Sequence, residues 1–502
     1  MTSDAQNGVT PTERYLNKLA RNSFLSLWCY PNVFTNEGRF NGKGAAKELC
    51  DLLIVFGNDV LIFSDKEVKF NLDKEIDIAW KRWYKKAIDK SAGQLFKAEK
   101  WIVNHPDRIY LDNLNTIKFP LDIPNKEDIR VHKICVANGS YDTSRQYFKG
   151  ENEGSLMINS QITGFNEHSM PFMIGHPSKE RGFIHVFDEL SLDRVFGEID
   201  TITDFVKYLE KREKYLSQEL SVISTEGEEQ LLSNYLTNLN EAGEHDFVLP
   251  IKDIEKYNMV WIDDSATWND FVNSPQYLAK KEANRISYIW DDFIEYFTKY
   301  SQAYNEIDKS SGKISDLEQA LRFMAAEDRL RRRQLSESFY EVMDKTAINQ
   351  KRARVVYSNV FTEKVYVFLI LPYLEAESYD KYRKFRRDYL LAYCKVAKIK
   401  QSTAKYVIGI AQQPKDQKNV TEDILILDVN EWTKEKQDDA ESLQQDLSIL
   451  LDENLTRFNG VTREYPKVDN PSKVIYKSKQ LNDKKKKNKR KIKKKSKMKN
   501  RK

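Results

Sequence analysis

An acidic pair enters one hydrophobic segment, Lys47-Glu48-Leu49-Cys50-Asp51-Leu-Leu-Ile-Val-Phe56, and the triplet Ser64-Asp65-Lys66 leaves the next, Val60-Leu-Ile-Phe63. Acids and an amine gathered in one place make a charged site, so the question is whether the chain brings them together. Residues 52–56 and 60–63 are short apolar runs rich in β-branched and aromatic side chains. Gly57-Asn58-Asp59 between them tolerates positive φ, and the whole predicts a β-hairpin. With Val55 opposite Val60, Leu53 faces Ile62 and Asp51 faces Ser64. Side chains alternate along a strand, so Asp51, Ser64 and Lys66 fall on one face and Asp65 on the other. Glu48 is expected at the end of a short helix over residues 43–49, within reach of the same place.

The arrangement resembles the PD-(D/E)xK nuclease superfamily, whose core is a helix bearing a Glu, a strand opening with Asp and a second strand ending in (Asp or Glu)-x-Lys. The resemblance covers roughly residues 40–105. It implies that Glu48 and Asp51 hold one or two Mg²⁺ ions through hard carboxylate oxygens. It implies that Lys66 is the catalytic amine that positions and polarises the attacking water beside the scissile phosphate. Ser64 stands where the pattern has an acid, which leaves one negative charge fewer for the metal. Glu67-Val68-Lys69 offers a second acid-x-lysine triplet, but on the wrong face unless a bulge shifts the register. On the helix expected from Lys74 to about Asn104, Gln94 matches a Gln that some members turn toward the metal. Taken alone, Gln94 reads as a solvated or capping residue. The implied function is metal-dependent hydrolysis of DNA or RNA phosphodiester bonds, in bacterial defence or nucleic-acid maintenance. The alternative is a non-catalytic nucleic-acid-binding or scaffold protein with a decayed nuclease fold, for which Ser64 is the mark.

At 502 residues, with 40% hydrophobic and 12% aromatic side chains, the chain is long enough for several domains with their own cores. Cys29, Cys50, Cys135 and Cys394 have no short spacing, so neither a disulfide framework nor a zinc ribbon is indicated and a reducing cytoplasm is expected. No apolar stretch approaches the roughly 18 residues of a membrane span. A phosphate-binding Gly-x-x-x-x-Gly-Lys-(Ser/Thr) loop, a Gly-x-Ser-x-Gly elbow and closely spaced histidines are all missing from the sequence.

The net charge of +5 is a property of the tail. Residues 484–502 hold 14 Lys or Arg and no acid, so the remainder carries −9, which is +5 less 14. Such a run cannot bury enough apolar surface to order itself, and its attraction is to polyanions, through residues such as Lys484, Lys485, Lys486, Lys487 and Arg490. The expected organisation is an α/β nuclease-like domain over 1–190, a helical region over 191–347, a small α+β domain over 348–451 in ββαββ order, and a linker with a disordered Lys-rich tail over 452–502. Aromatic residues of the helical region, Trp261, Trp268, Trp290 and those of residues 288–304, could stack on nucleic-acid bases, but at helical spacing they are expected in its core. Arg329, Arg331, Arg332 and Arg333 are expected on a solvated, salt-linked helix face or against phosphate. Across the whole chain, the Glu48-Leu-Cys-Asp51 hairpin, the Trp-rich helix and Phe187-Asp-Glu-Leu-Ser-Leu-Asp193 also resemble a group of uncharacterised bacterial proteins. Some of these end in a short cysteine-rich zinc motif. Here the end is polylysine without cysteine, so zinc is not implied.

Overall fold

In the computed structural model the described residues are 8–468, apart from 40–43, 151–154, 165–166, 168–169, 219–220, 249–258, 263–264, 305–313, 359–361, 375–377, 419, 459 and 461. The cationic residues Lys484, Lys485, Lys486, Lys487 and Arg490 therefore lie outside the described residues. Two bodies form: Met1–Lys281 with Ile294–Arg329, and Glu282–Phe293 with Leu330–Pro466.

The first body begins with helix α1 (Pro11–Phe24). Its start is a capping box: the Thr10 hydroxyl accepts from the Glu13 N–H, the Glu13 carboxylate accepts from the Thr10 N–H, and Pro11 sits at the first turn. Strands β1 (Cys29–Thr35), β2 (Lys47–Phe56) and β3 (Asp59–Glu67) follow as an antiparallel meander. Val55 pairs with Val60 and Leu53 with Ile62, the register that the hydrophobic pattern predicts. Phe56 pairs with Asp59, so the turn is Gly57-Asn58 alone, with Gly57 at φ +58° where a side chain would be strained. Residues 49–56 are all buried, the mark of a strand covered on both faces rather than a half-exposed one.

Helix α2 (Ile76–Tyr84), a π turn (Lys85–Asp89) and helix α3 (Lys90–Asn104) then carry the chain over the sheet. Strand β4 (Ile109–Tyr110) pairs with β1, and β5 (Arg130–Asn138) returns parallel to β3. After helix α4 (Tyr141–Tyr147), two strands leave this sheet, β6 (Met157–Thr163) and β7 (Met173–His176), before β8 (His185–Phe187) rejoins it parallel to β5. The order is β4-β1-β2-β3-β5-β8, a mixed sheet.

A mostly helical stretch comes next: α5 (Glu189–Glu198), α6 (Ile202–Leu216), α7 (Glu228–Thr237), α8 (Ser265–Asn273), α9 (Pro275–Ala283), α10 (Tyr288–Tyr304), α11 (Ile314–Ala325) and α12 (Arg329–Asp344). Within it two four-residue strands that the sequence reading passes over, β9 (Val222–Thr225) and β10 (Met259–Ile262), join β6 and β7 in a second sheet ordered β10-β9-β6-β7. Trp268 and Trp290 are buried, as core aromatics should be.

In the second body β11 (Arg352–Tyr357), β12 (Lys364–Ile370), β13 (Tyr406–Gln412) and β14 (Glu422–Asp428) lie side by side. Helix α13 (Tyr379–Lys400) is the crossover that makes β12 and β13 parallel, and α14 (Lys434–Asp446) completes the layer. Val365, Val367 and Leu369 pack with Leu390, Cys394 and Ala397 of α13, and Tyr366 and Phe368 of the opposite parity meet Trp290 and Phe339.

Two expectations are corrected. The arginines are not on a solvated face: Arg332 is fully buried with its Nη1 2.6 Å from Asp291 Oδ1, Arg333 donates to Asn284 Oδ1 at 3.0 Å, and Arg329 bonds Asp200 at 2.8 Å. Each guanidinium is satisfied by an acceptor inside its own body, which is what lets a cation be buried at all. Nor does Glu48 end a helix over 43–49: it sits in β2, paired with Phe34 of β1. An open strand edge with unpaired N–H and C=O groups captured a segment whose local propensity pointed elsewhere. Among the described residues no helix is long and apolar enough to cross a membrane.

Candidate functional site

Glu48, Asp51, Ser64 and Gln94, with Leu49, Cys50 and Leu95, line a small open cleft where β2, β3 and α3 meet. Strict alternation would put Glu48 and Asp51 on opposite faces. The pairing of β1 with β2 supplies the exception: Val33 faces Cys50 but Phe34 faces Glu48, so Leu49 is an extra residue in β2. A bulge of one residue reverses the alternation beyond it and brings Glu48 to the side of Asp51.

Strand parity delivers the rest. Ser64 and Asp65 are neighbours on β3 with different partners. The Ser64 hydroxyl is 3.1 Å from that of Ser91 and 3.4 Å from Gln94 Oε1, both on α3. Asp65 instead accepts from Asn138 Nδ2 at 2.5 Å through Oδ1, with the Thr12 side chain of α1 as a second partner. Asp51 lies between these neighbours: its Oδ2 accepts from the Asp65 backbone N–H at 2.5 Å and sits 3.4 Å from Lys66 Nζ. Lys66 keeps 25% of its side chain exposed, against 9% for Asp51, so the ammonium reaches solvent while its partner does not. The five residues named from the sequence, Glu48, Asp51, Ser64, Lys66 and Gln94, thus converge. Glu67 is exposed at the end of β3, and no bulge against β5 turns it inward.

Two further residues belong to this group and escaped the sequence reading. Glu13 of α1 and Glu48 are joined by Asn32, whose Nδ2 donates to Glu13 Oε2 at 3.1 Å and to Glu48 Oε1 at 2.9 Å. Asn32 has φ +49° within β1, in the left-handed region, at a cost of about 1 kcal/mol that Asn bears better than most residues. The signal for Glu13 was legible: Thr10-Pro-Thr-Glu13 is a helix-start signature. Nothing local in the sequence marks Asn32.

Electrostatically the group is short of positive charge. Burial pushes Asp51 above the usual carboxyl range, and Lys66 and the Asp65 amide only partly offset it. Burial also raises Glu48, against the Asn32 bond and with help from nearby Asp51 and Glu13. Asp65 is pushed up to about 6 by burial, against a bond with the Thr12 side chain and with Asp51 and Glu13 adding to the rise. Glu13 goes the other way: burial would raise it, but bonds from Asn32 and from the Val9 and Thr10 amides hold it low.

A different cluster occupies the start of β3. Asp59, His132 and Glu210 place one ligand-capable atom each within 4.8 Å of one another. Here, however, Arg130 forks onto Asp59 with bonds of 2.8 and 2.6 Å, and His132 Nε2 lies 3.0 Å from the same carboxylate. These partners hold Asp59 below the usual carboxyl range although burial alone would raise it. Three elements, β3, β5 and α6, contribute to it, which is why sequence spacing of the histidines missed it.

Compared with family models, curated proteins and solved structures, the chain matches none.

Proposed function

We propose that the first body hydrolyses phosphodiester bonds in DNA or RNA with a divalent cation, Mg²⁺, held by Glu48 and Asp51. The observation that carries the reading is the charge imbalance around the cleft: Glu48 and Asp51 line it, Glu13 and Asp65 interact electrostatically with this pair from outside its wall, and the Lys66 ammonium lies beside Asp51. Carboxylates raised by burial and by each other are groups that a cation would stabilise. The donor set, Glu48 and Asp51, fits such an ion, being made of hard carboxylate oxygens on residues that line one cleft. When bound, Mg²⁺ supplies Lewis acidity toward a phosphoryl oxygen and lowers the pKa of a bound water.

The chain's own groups do the rest. Lys66, anchored by Asp51 and open to solvent, offers a fixed positive charge to negative charge developing on a phosphate. Ser64 is held by Ser91 and Gln94 and forms a neutral wall of the cleft. Gln94, exposed at the rim, has amide groups with which to meet a substrate. A helix bearing Glu13, a strand bearing Asp51, a strand ending in Lys66 and a following helix bearing Gln94 are the parts of the PD-(D/E)xK pattern, and they support that assignment. The Lys-rich tail would add salt-sensitive attraction to the polyanion.

One observation favours a second reading, a nucleic-acid-binding or scaffold protein without turnover: Ser64 occupies the acid position and is already satisfied by α3. A cleavage assay on mixed DNA and RNA with Mg²⁺ or Mn²⁺, comparing the full chain with Asp51→Ala, decides between them. Metal-dependent cleavage that disappears in the variant is the expected result. Cleavage unchanged in Asp51→Ala overturns the site, and salt-sensitive binding without cleavage, weakened by deleting residues 484–502, establishes the second reading.

A further inference from the structure

We infer that Asn32 is a positioning residue of the cleft, its one side-chain amide fixing the carboxylates of Glu13 and Glu48 from two different elements on the side of Asp51. The inference rests on the metal-dependent reading above. Its geometry is specific. Both bonds come from the same nitrogen, 3.1 Å to Glu13 Oε2 and 2.9 Å to Glu48 Oε1, so the two carboxylates are spaced by a single NH₂ group.

The backbone is set up for this. Asn32 lies between the pairs Pro31–Leu52 and Val33–Cys50, so it is opposite Asp51, and its φ of +49° interrupts an otherwise extended strand. The bulge that turns Glu48 toward the cleft begins one residue further on. A left-handed residue and a bulge side by side, both directed at the same two acids, are the kind of local irregularity that sheets keep where a side chain must be aimed. Asn is suited twice over, tolerating positive φ and carrying two N–H donors on one nitrogen. Without it, two acids at the rim of an acid-rich group would have to be held by their own rotamers.

Partners that orient metal ligands without touching the ion change metal affinity by about 10- to 100-fold when removed. The test is Mn²⁺ binding to the full-length protein, read by the electron paramagnetic resonance of the free ion, which does not depend on turnover. Asn32→Gly keeps the backbone conformation and removes the amide, and should weaken Mn²⁺ by about tenfold or more while the thermal transition stays cooperative. Asn32→Ser, with one donor, should fall between Gly and wild type and supplies the measurement if the glycine variant does not fold. In a Glu48→Gln background the loss caused by Asn32→Gly should shrink, because the two residues act through one contact. Wild-type Mn²⁺ affinity in both Asn32 variants, or losses that add in full, overturns the role of Asn32 alone. No Mn²⁺ binding by the wild-type protein overturns the metal reading, and the inference falls with it.

Discussion

Strand β3 begins and ends on acids, and the two ends have opposite electrostatics. At its start Asp59 is matched by Arg130 and His132 and is held low. Toward its end Asp65 and its neighbours Asp51, Glu48 and Glu13 outnumber the nearby Lys66, and three of the four are held high. The ends are six residues apart, about 20 Å of extended chain. Asp59 at one end and Asp51 and Asp65 at the other are buried to a similar degree, so burial alone does not separate them. What separates them is whether the protein provides the counter-charge. A cluster that supplies its own cation is a structural clasp, and one that leaves its acids uncompensated is a candidate for a ligand from outside.

The widest gap between the two ends should be in activity. Lys66→Ala is expected to lower metal-dependent cleavage by about 10²-fold or more. Asp59→Ala should leave cleavage unchanged and instead lower unfolding free energy, by about 1–3 kcal/mol in urea titrations, since it strips His132 and Arg130 of their acceptor. Equal losses of activity at both ends would break the contrast.

The pH dependence of stability should differ in sign. Asp65 titrates near 6 in the fold against an ordinary value of 3.8, so the native state binds more protons in that window and its contribution to stability declines as pH rises through it. Asp65→Asn should therefore gain on wild type across the same window, by about 2–3 kcal/mol once pH is above it. Asp59, held low, contributes stability above its ordinary value that is lost as pH falls, so Asp59→Asn should lose ground to wild type as pH rises. Chemical unfolding of the three proteins from about pH 2 to 7 measures both slopes, that of Asp59 in the acid part of the range and that of Asp65 above it. Parallel curves would remove the distinction.

The smallest effect is expected at position 64. Ser64→Asp adds a carboxylate beside Asp51, next to the hydroxyl of Ser91 that can donate to it. Mn²⁺ affinity should rise on the order of tenfold. An unchanged affinity would mean that position 64 does not face the ion.

Much of this site was legible in the sequence because a hairpin is local. Two apolar runs, a Gly-Asn turn and the two-residue period set which of Asp51, Ser64, Asp65 and Lys66 share a face, and the register follows. Coarser features also carried over: an N-terminal mixed sheet with helices, a helical middle, and a C-terminal sheet with helices. What was illegible depended on partners far along the chain. Glu48 is in a strand because β1 offered an edge, and it faces the cleft because of one extra residue in that pairing. Asn32, of a type that tolerates positive φ, takes it inside a strand rather than in a turn. Strand β9 has four residues and gains its identity from β6 and β10.

Glu13 carries a last consequence, because its Oε2 already has other work. That oxygen accepts from the Val9 and Thr10 amides as well as from Asn32, closing the first turn of α1. Any cation or substrate that draws this carboxylate toward Asp51 takes it from those amides, so occupancy of the cleft and fraying of the chain's first helix become linked equilibria. Amide hydrogen exchange at residues 9 and 10 would then act as a reporter of ligand binding from outside the cleft.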